Sequence, residues 1–253
     1  MLNDKYILCK YLGGSHSYGL TTPQSDEDVR GVYLSTAVSE IVGLDKNEHQ
    51  IKQNSEEDTQ LFEFRHFLKL LRNGNTQALE MLYNHKWLSV SPQFKGVQDL
   101  RAHLIDSHRL FKCLMGYCQS ERRLVLGERT GVLGGKRREH LDTYGYSYKN
   151  AVQFLRLCRA GEVFFQKGEF PVDITSYDTS GIIRDVKLNP KDYTKDKVVI
   201  LMDNAETCLK DSYNKIKIIY NYDEKLANEL CLNLYLPILN NHKYTLDFPD
   251  PIS

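Results

Sequence analysis

The sequence predicts an α+β protein, with strands in the first third of the chain and helices in most of the rest. Two apolar runs, residues 6–12 and 29–34, have the length and composition of buried strands. From about residue 93 onward, apolar residues recur at the three- and four-residue spacing of amphipathic helices. The 253 residues suffice for one large or two small domains, and either arrangement can bury a sizeable core.

The segment between the two predicted strands carries most of the chemical signal. A glycine-serine turn at residues 13–15 follows the first strand, and there the backbone can approach a ligand closely and present free N–H groups. Asp26 and Asp28 stand at the head of the second strand. Because strand residues two apart point to the same face, we expect these two carboxylates to converge and Glu27 to face away.

Two carboxylates held together favour a bound cation, because like charges disfavour joint ionisation. Mg²⁺ is commonly held by one or two carboxylates together with substrate phosphates. The turn would then cradle phosphates while Asp26 and Asp28 bind the metal, which is the equipment of phosphoryl or nucleotidyl transfer. Each half of this pattern alone is more often an ordinary turn or a solvated loop. Their order, with a strand on each side, favours the functional interpretation.

The same residues carry a resemblance to a known family. Gly-Gly-Ser followed by Asp-x-Asp resembles the signature of the DNA polymerase β-type nucleotidyltransferase superfamily. The longer run through residues 14–20 and 25–31 resembles the RNA-repair nucleotidyltransferases of bacteria and large phages, and residues 58–65, 74–82 and 145–157 add support. The C-terminal third of the chain carries no motif that matches this family.

The resemblance implies a fold and a set of ligands. Residues 1–92 would form the catalytic core, a small mixed sheet flanked by helices, and residues 93–253 a mainly helical domain that completes the site. Gly14 and Ser15 would hold the β- and γ-phosphates of a nucleoside triphosphate, and His16 is either a further phosphate ligand or a plain turn residue. Asp26 and Asp28 would bind Mg²⁺ or Mn²⁺.

A third carboxylate is expected on a neighbouring strand, because members of the superfamily use one to complete the metal site and activate the attacking hydroxyl. Residues 58–64 are predicted to be a strand that runs into a helix, which offers Asp58 and Glu63 as candidates. Asp58 matches the acidic position of the family and is preferred. Glu63 falls where the helix should begin, and an acidic residue there is often only a favourable partner of the helix dipole.

Two basic segments are candidates for binding the triphosphate or a polynucleotide. Residues 128–142 are predicted to be a glycine-rich, flexible basic loop containing Lys136 and Arg137. The predicted helix at residues 146–166 places Lys149 and Arg156 on nearly one stripe, and the resemblance implies that they contact the nucleotide phosphates. Arg159 lies on the same stripe.

The same helix departs from the family in one respect and offers one aromatic candidate. Asn150 and Gln153 stand where the family often has histidines, so a histidine-borne role is not expected here. Tyr146 could stack on a base, although a buried tyrosine is the commoner outcome.

The other elements follow from spacing and from start and stop signals. Residues 64–71 form an amphipathic helix, and Asn75 or Thr76 is expected to cap a second helix at residues 77–83, in which Glu80 is a possible site residue. Residues 45–57 are predicted to be a loop. Residues 170–174 and 182–188 are predicted to be short strands or extended segments, and residues 196–217 and 223–239 helices.

Composition limits the class of protein more than the function. The 33 basic and 33 acidic residues balance, although residues 1–63 hold 11 acidic and 5 basic residues and residues 121–159 hold 9 basic and 4 acidic. The six cysteines show no Cys-x-x-Cys pair and predict reduced, mostly buried thiols. We therefore expect a cytoplasmic protein without a membrane segment or signal peptide.

The resemblance predicts a metal-dependent nucleotidyltransferase that moves a nucleoside monophosphate from a nucleoside triphosphate to an acceptor hydroxyl. An RNA end is the expected acceptor. Two alternatives stay open at this point, a protein hydroxyl as acceptor and an inactive nucleotide- or RNA-binding module that keeps the fold. A module that only bound RNA would not need paired metal carboxylates, which favours the enzyme.

Overall fold

A computed structural model describes residues 6–23, 25–43, 50–54, 58–128 and 135–241, with the backbone alone at 50–54, 58 and 135–137. The loop predictions for residues 45–49, 55–57 and 129–134 lie outside the described residues. No described helix is long and apolar enough to cross a membrane.

The sheet has five strands in the order β3-β4-β2-β1-β5. Their bounds are β1 Ile7–Leu12, β2 Asp28–Tyr33, β3 Gln50–Asn54, β4 Asp58–Glu63 and β5 Ser89–Val90. The pair β2·β4 is parallel and the other three pairs are antiparallel, so the sheet is mixed, as predicted. Its central strands bury the apolar side chains that predicted them, such as Leu8 and Val32.

Eleven α-helices are found in the described ranges. In the first third of the chain they are α1 Gly14–Tyr18, α2 Val38–Ile41, α3 Phe64–Arg72 and α4 Thr76–Tyr83. Further along they are α5 Pro92–Asp99, α6 Ser107–Val125, α7 Gly135–Tyr144, α8 Tyr148–Lys167, α9 Ile182–Leu188, α10 Lys195–Asn214 and α11 Glu224–Asn240. The α+β class is thus confirmed, with helices dominating after the sheet.

Local signals fix several helix ends. The Asn75 side chain accepts a hydrogen bond of 3.1 Å from the Ala78 N–H and so caps α4, as predicted. Ser91 caps α5, and Pro92 occupies its first turn, where the missing N–H costs nothing. Gly168, with a φ of 77°, ends α8 in the left-handed conformation.

Helix α8 is the centre of the helical region and packs against α6, α9 and α10. A Cβ at Gly161 would lie 2.7 Å from side chains of both Leu114 and Leu209, so glycine allows α6 and α10 to approach α8 closely. The buried apolar residues form one cluster that draws on the sheet and on these helices. The division at residue 92 stays a prediction.

Four sequence predictions on secondary structure need correction. The predicted loop at residues 45–57 contains β3, an edge strand that forms by pairing with β4. The predicted extended segment at 182–188 is helix α9, which buries Ile183 and Val186 at helical spacing. The predicted flexible loop at 128–142 becomes helix α7 from Gly135, and the glycine-serine turn opens directly into α1.

Candidate functional site

A cavity of about 500 Å³ lies where α1, the start of β2, α8 and α9 meet. Nearly all the residue types predicted for a nucleotide site converge on it. Its lining comprises Gly14, Ser15, Tyr18, Leu20, Thr22, Ser25, Asp26, Asp28, Tyr148, Lys149, Val152, Gln153, Arg156, Lys187 and Leu188. Residues of the sheet region and of two much later helices therefore build one concave site.

Gly14 opens α1 and lies against the Asp28 carboxylate. Its φ of 57° lies in the left-handed region, and a Cβ there would stand 2.7 Å from Asp28 Oδ2. The Gly13 N–H donates a hydrogen bond of 2.7 Å to the Asp28 carbonyl, which fixes the turn to the first residue of β2. Only glycine can bring the backbone this close to the carboxylate.

Asp26 and Asp28 line the same cavity, whereas Glu27 is exposed and lines no part of it. Asp28 begins β2 and lies 3.6 Å from the Arg30 guanidinium. Asp26 lies two residues before the strand, outside any helix or strand, and is exposed. The convergence of Asp26 and Asp28 on one cavity matches the prediction, although the strand that was expected to cause it begins at Asp28 and contains neither Asp26 nor Glu27.

The two candidates for the third carboxylate have different surroundings. The Asp58 backbone is the register partner of Asp28 across the parallel pair β2·β4. The Glu63 side chain is 1% exposed and caps α3, accepting from the His66 N–H at 3.1 Å. Glu63 also accepts hydrogen bonds from Arg65 and Tyr235, so its carboxylate oxygens are already used in structural hydrogen bonds. Register favours Asp58, which stays a prediction.

The donor set at the cavity can be compared with what a divalent metal requires. In the described part of the chain no group of three or more histidine, cysteine or acidic side chains could by itself enclose a metal ion. Asp26 and Asp28 supply two carboxylates, and Mg²⁺ usually completes its shell with water and substrate phosphates. The residues present therefore fit a metal that arrives with a polyphosphate rather than a permanent protein-enclosed ion.

Lys187 is a site residue that the sequence prediction missed. Its ammonium donates a hydrogen bond of 2.7 Å to Ser15 Oγ and another to the Leu20 carbonyl. Segment 182–188 was predicted to be extended and had no matched motif, so no role was expected for it. The helical spacing of the apolar Ile183 and Val186 is the signal that could have placed Lys187 on a helix.

Two lysines from different helices line the cavity. Lys149 belongs to α8, and Lys187 belongs to α9. Burial lowers the pKa of Lys187, and the positive charge of Lys149 lowers it further. Two cations that disfavour one another are stabilised jointly by an anion placed between them.

Arg156 forms a buried cluster with Glu80 and Tyr18 at the cavity wall. Its Nη2 donates to Glu80 Oε1 at 2.8 Å, and its guanidinium stacks 3.6 Å from the centre of the Tyr18 ring. The Tyr18 hydroxyl donates to Glu80 Oε2 at 2.9 Å, which closes the cluster. Gln153 Oε1 accepts from both Nε and Nη2 of Arg156 at 3.2 Å.

This cluster changes the expected role of Arg156. Burial disfavours the charged guanidinium, but Tyr18 and Glu80 outweigh it, and the pKa of Arg156 is raised. The residue is 0% exposed, and most of its hydrogen-bonding capacity is used within the protein. One donor, Nη1, is buried without a partner among the described residues. Arg156 therefore positions α1 directly and has one nitrogen left for a ligand.

The other predicted site residues are spread more widely. His16 lies in α1, and its buried Nε2 has no hydrogen-bond partner in the described structure. Lys136 and Arg137 fall in the first turn of α7, where only the backbone is described. Tyr146 is buried and donates to the Pro190 carbonyl at 3.0 Å, and Arg159 pairs with Glu162 away from the cavity.

Comparison with known proteins gives a family match. The model of the RNA repair pathway DNA polymerase beta family matches residues 3–184, which include the turn, the aspartate pair and the whole of α8. A curated relative, an uncharacterized 38.9 kDa protein of Enterobacteria phage T4 from the nrdC-mobD intergenic region, is 28% identical over 143 residues. That alignment covers 51% of this chain and 42% of the relative, so the chain spans less than half of the relative's length.

A solved structure also matches over most of the chain. It is a nucleotidyltransferase-like protein from Exiguobacterium sibiricum, with 12% identity and a TM-score of 0.35, covering 83% of this chain and 72% of the other. A similarity of this size carries no weight beside the family match.

Proposed function

We propose, from the premise that the chain belongs to the RNA repair pathway DNA polymerase beta family, that it transfers a nucleoside monophosphate from a nucleoside triphosphate to an RNA end. One observation carries the proposal. Asp26, Asp28, Lys149 and Lys187 line a single cavity, so two carboxylates and two ammonium groups border the same space. This distribution of charge suits a polyphosphate that arrives with a divalent metal.

The chain's own residues supply positioning and charge. Asp26 and Asp28 would hold the metal, with Asp58 as the third ligand on the neighbouring strand. A divalent cation bound there would neutralise the triphosphate and promote ionisation of the attacking hydroxyl. Gly14 lets the backbone approach the phosphates, and Ser15 offers its hydroxyl to them. Phosphoryl transfer needs little more, because its catalysis is mostly positioning and electrostatic stabilisation.

The reaction balances as a substitution at the α-phosphorus. The acceptor hydroxyl oxygen forms a bond to that phosphorus, and the bond between phosphorus and the pyrophosphate oxygen breaks. The hydroxyl proton passes to a base, for which Asp58 is the candidate. Lys149, which lines the cavity, would neutralise the departing pyrophosphate, and Lys136 and Arg137 stay candidates for contacts with the nucleotide or the RNA.

The RNA acceptor is supported by the description of the family rather than by a contact in the cavity. A protein hydroxyl is therefore the competing acceptor, and an inactive binding module is the competing class. The intact aspartate pair disfavours the module, because RNA binding alone uses cations and not paired carboxylates.

The test is incubation with each α-³²P-labelled nucleoside triphosphate, Mg²⁺, and total RNA plus protein. We expect label in RNA with the natural sequence and a loss of at least about 1000-fold with the double variant Asp26→Asn, Asp28→Asn, because both metal carboxylates are gone. Glu27→Gln is the matched control, since Glu27 lies between the two aspartates and lines no part of the cavity. It should keep full activity.

Three outcomes would separate the competing functions. Label in protein instead of RNA would replace the acceptor and keep the reaction. Metal-independent RNA binding without label would favour the module. Equal labelling by the double variant would contradict the assignment of the aspartates, provided that its circular dichroism spectrum matches that of the natural protein.

A further inference from the structure

Lys187 lies outside the region that defines the family, yet it lines the candidate site. The match to the family model ends at residue 184, whereas Lys187 lies on the last turn of α9 and contacts the glycine-serine turn. The contact spans 172 positions of sequence. Neither the motif nor the family match therefore assigns it a role.

The position of the Lys187 ammonium is defined by two acceptors. Ser15 Oγ accepts at 2.7 Å, and the Leu20 carbonyl accepts a second hydrogen bond. Ser15 lies in the first turn of α1, and Leu20 lies two residues beyond its last residue. A lysine ammonium has three donors, so at least one N–H is left for a third acceptor. Lys187 lines the cavity, so a ligand bound there is within reach as that third acceptor.

The charge around Lys187 favours an anion as that third acceptor. Neither of its two acceptors is a carboxylate, and the charge that acts on its pKa is the cation of Lys149. A partly buried ammonium with neutral acceptors and a neighbouring cation is costly unless a negative ligand binds. Charge-assisted hydrogen bonds to phosphate oxygens supply that compensation.

We propose that Lys187 is a polyphosphate-binding residue that, together with Lys149, distinguishes a nucleoside triphosphate from a monophosphate. This inference rests on the proposed function. Lys187 binds from the α9 side, next to Ser15, and Lys149 binds from the α8 side. Two cations on separate helices engage an extended polyphosphate together, whereas a single phosphate satisfies only one of them. The protein then distinguishes the two nucleotides by the number of their phosphate groups and not by their base.

The experiment measures the affinity of the full chain for three probes in Mg²⁺, namely inorganic tripolyphosphate, ATP and AMP, by isothermal titration calorimetry. With Lys187→Ala we expect about 10- to 100-fold weaker binding of tripolyphosphate and ATP, the size of one or two lost charged hydrogen bonds. AMP affinity should change by less than about threefold. The control is Lys191→Ala, an exposed lysine just beyond α9 that does not line the cavity.

A second variant separates charge from structure. Lys187→Gln keeps two N–H donors on a side chain that is one bond shorter, and it carries no charge. We expect its triphosphate affinity to fall nearly as far as that of Lys187→Ala, with an unchanged melting temperature. If Lys187→Gln binds ATP as the natural protein does, Lys187 only attaches α9 to α1 and the inference is wrong.

The outcomes distinguish this inference from the proposed function. If the natural protein binds ATP and tripolyphosphate and Lys187→Ala binds them equally well, the inference fails and the proposed function stands. An equal loss for AMP and ATP would also overturn it, because Lys187 would then not distinguish phosphate number. If the natural protein binds none of the three probes, the proposed function fails and this inference fails with it.

Discussion

Two clusters in this molecule use the same three residue types in the same way. At the cavity, Tyr18 donates to Glu80, Arg156 pairs with Glu80, and the guanidinium lies over the tyrosine ring. At the start of α3, Tyr235 donates to Glu63, Arg65 pairs with Glu63 at 3.0 Å, and the guanidinium lies 5.2 Å from the ring centre. Each cluster joins an element of the sheet region to a later helix.

The clusters differ in whether every nitrogen of the arginine has a hydrogen-bond acceptor. Arg65 Nε, Nη1 and Nη2 all donate within the protein, to Glu63, the Ile41 carbonyl and the Glu40 carbonyl, and its side chain is 22% exposed. The Arg156 side chain is 1% exposed, yet its Nη1 has no partner among the described residues.

The difference indicates which cluster serves the fold alone. A cluster in which every arginine nitrogen has an acceptor within the protein needs no ligand, and Glu63 also caps a helix there. A buried donor without a partner, beside a cavity, is a group that a ligand can satisfy. The same three residue types therefore support structure at one place and position the candidate site at the other.

The largest expected effect on stability comes from replacing the arginine of each cluster. Arg156→Met should lower the free energy of unfolding by about 3–5 kcal/mol, because Glu80 is left charged and buried with, among the described residues, no cation beside it and only the Tyr18 hydroxyl as a donor. Arg65→Met should cost clearly less, since Arg65 is partly hydrated and Glu63 keeps its other donors. Urea denaturation followed by circular dichroism measures both. Equal losses would contradict the contrast between the clusters.

An intermediate effect comes from removing one hydroxyl from each cluster. Tyr18→Phe and Tyr235→Phe each delete a hydrogen bond to a carboxylate, and each should destabilise by about 1.5–3 kcal/mol. Only Tyr18→Phe should also weaken ATP binding, because Tyr18 belongs to α1 and lines the cavity. Calorimetric titration at a temperature where both variants are folded tests this. Loss of ATP binding in Tyr235→Phe alone would reverse the functional assignment.

The smallest expected effect is a change in the pH dependence of tripolyphosphate binding at the cavity. Burial and then Lys149 lower the pKa of Lys187, so its charge disappears as the pH rises, at a pH below the ordinary lysine pKa of about 10.4. As the pH rises, tripolyphosphate affinity should therefore begin to fall at a lower pH than it would if Lys187 had the pKa of an exposed lysine. Lys187→Arg, which stays charged, should remove that early decline.

Two controls sharpen the pH experiment. Lys191→Arg replaces an exposed lysine outside the cavity, and Arg65→Lys alters the other cluster. Both should keep the pH profile of the natural protein. An identical profile for Lys187→Arg would mean that Lys187 does not titrate in the measured range.

Much of the fold was predictable because local and tertiary signals agreed. The apolar runs of β1 and β2 and the periodic pattern of α3 are confirmed, and the α+β class with them. Strand β3 was missed because Gln50–Asn54 holds one apolar residue and is defined by pairing with β4. Helix α9 was missed because its β-branched residues favour strands, and packing against α8 overrides that preference.

The site was predictable where its residues are close in sequence. Gly14, Ser15, Asp26 and Asp28 do line one cavity, and residues of α8 join them there. The burial of Arg156 could not be predicted, because it depends on a partner 76 positions away in α4. Contacts from α9 could not be predicted either, since pairing across 172 positions leaves no local pattern. The catalytic, metal-binding and phosphate-binding roles of all these residues stay predictions, as do those of Asp58, Lys136 and Arg137.

The contacts of α1 also have a consequence for the timing of synthesis. The Tyr18 carbonyl accepts a hydrogen bond of 3.1 Å from the Ile174 N–H, and Ser15 receives its bond from Lys187. On the ribosome, chains emerge from the N-terminus and fold as they lengthen. A nascent chain that ends before α9 thus has the aspartates and the glycine-serine turn but not the lysine that holds Ser15. We expect such a chain to bind nucleoside triphosphates more weakly until residue 187 has emerged from the ribosome.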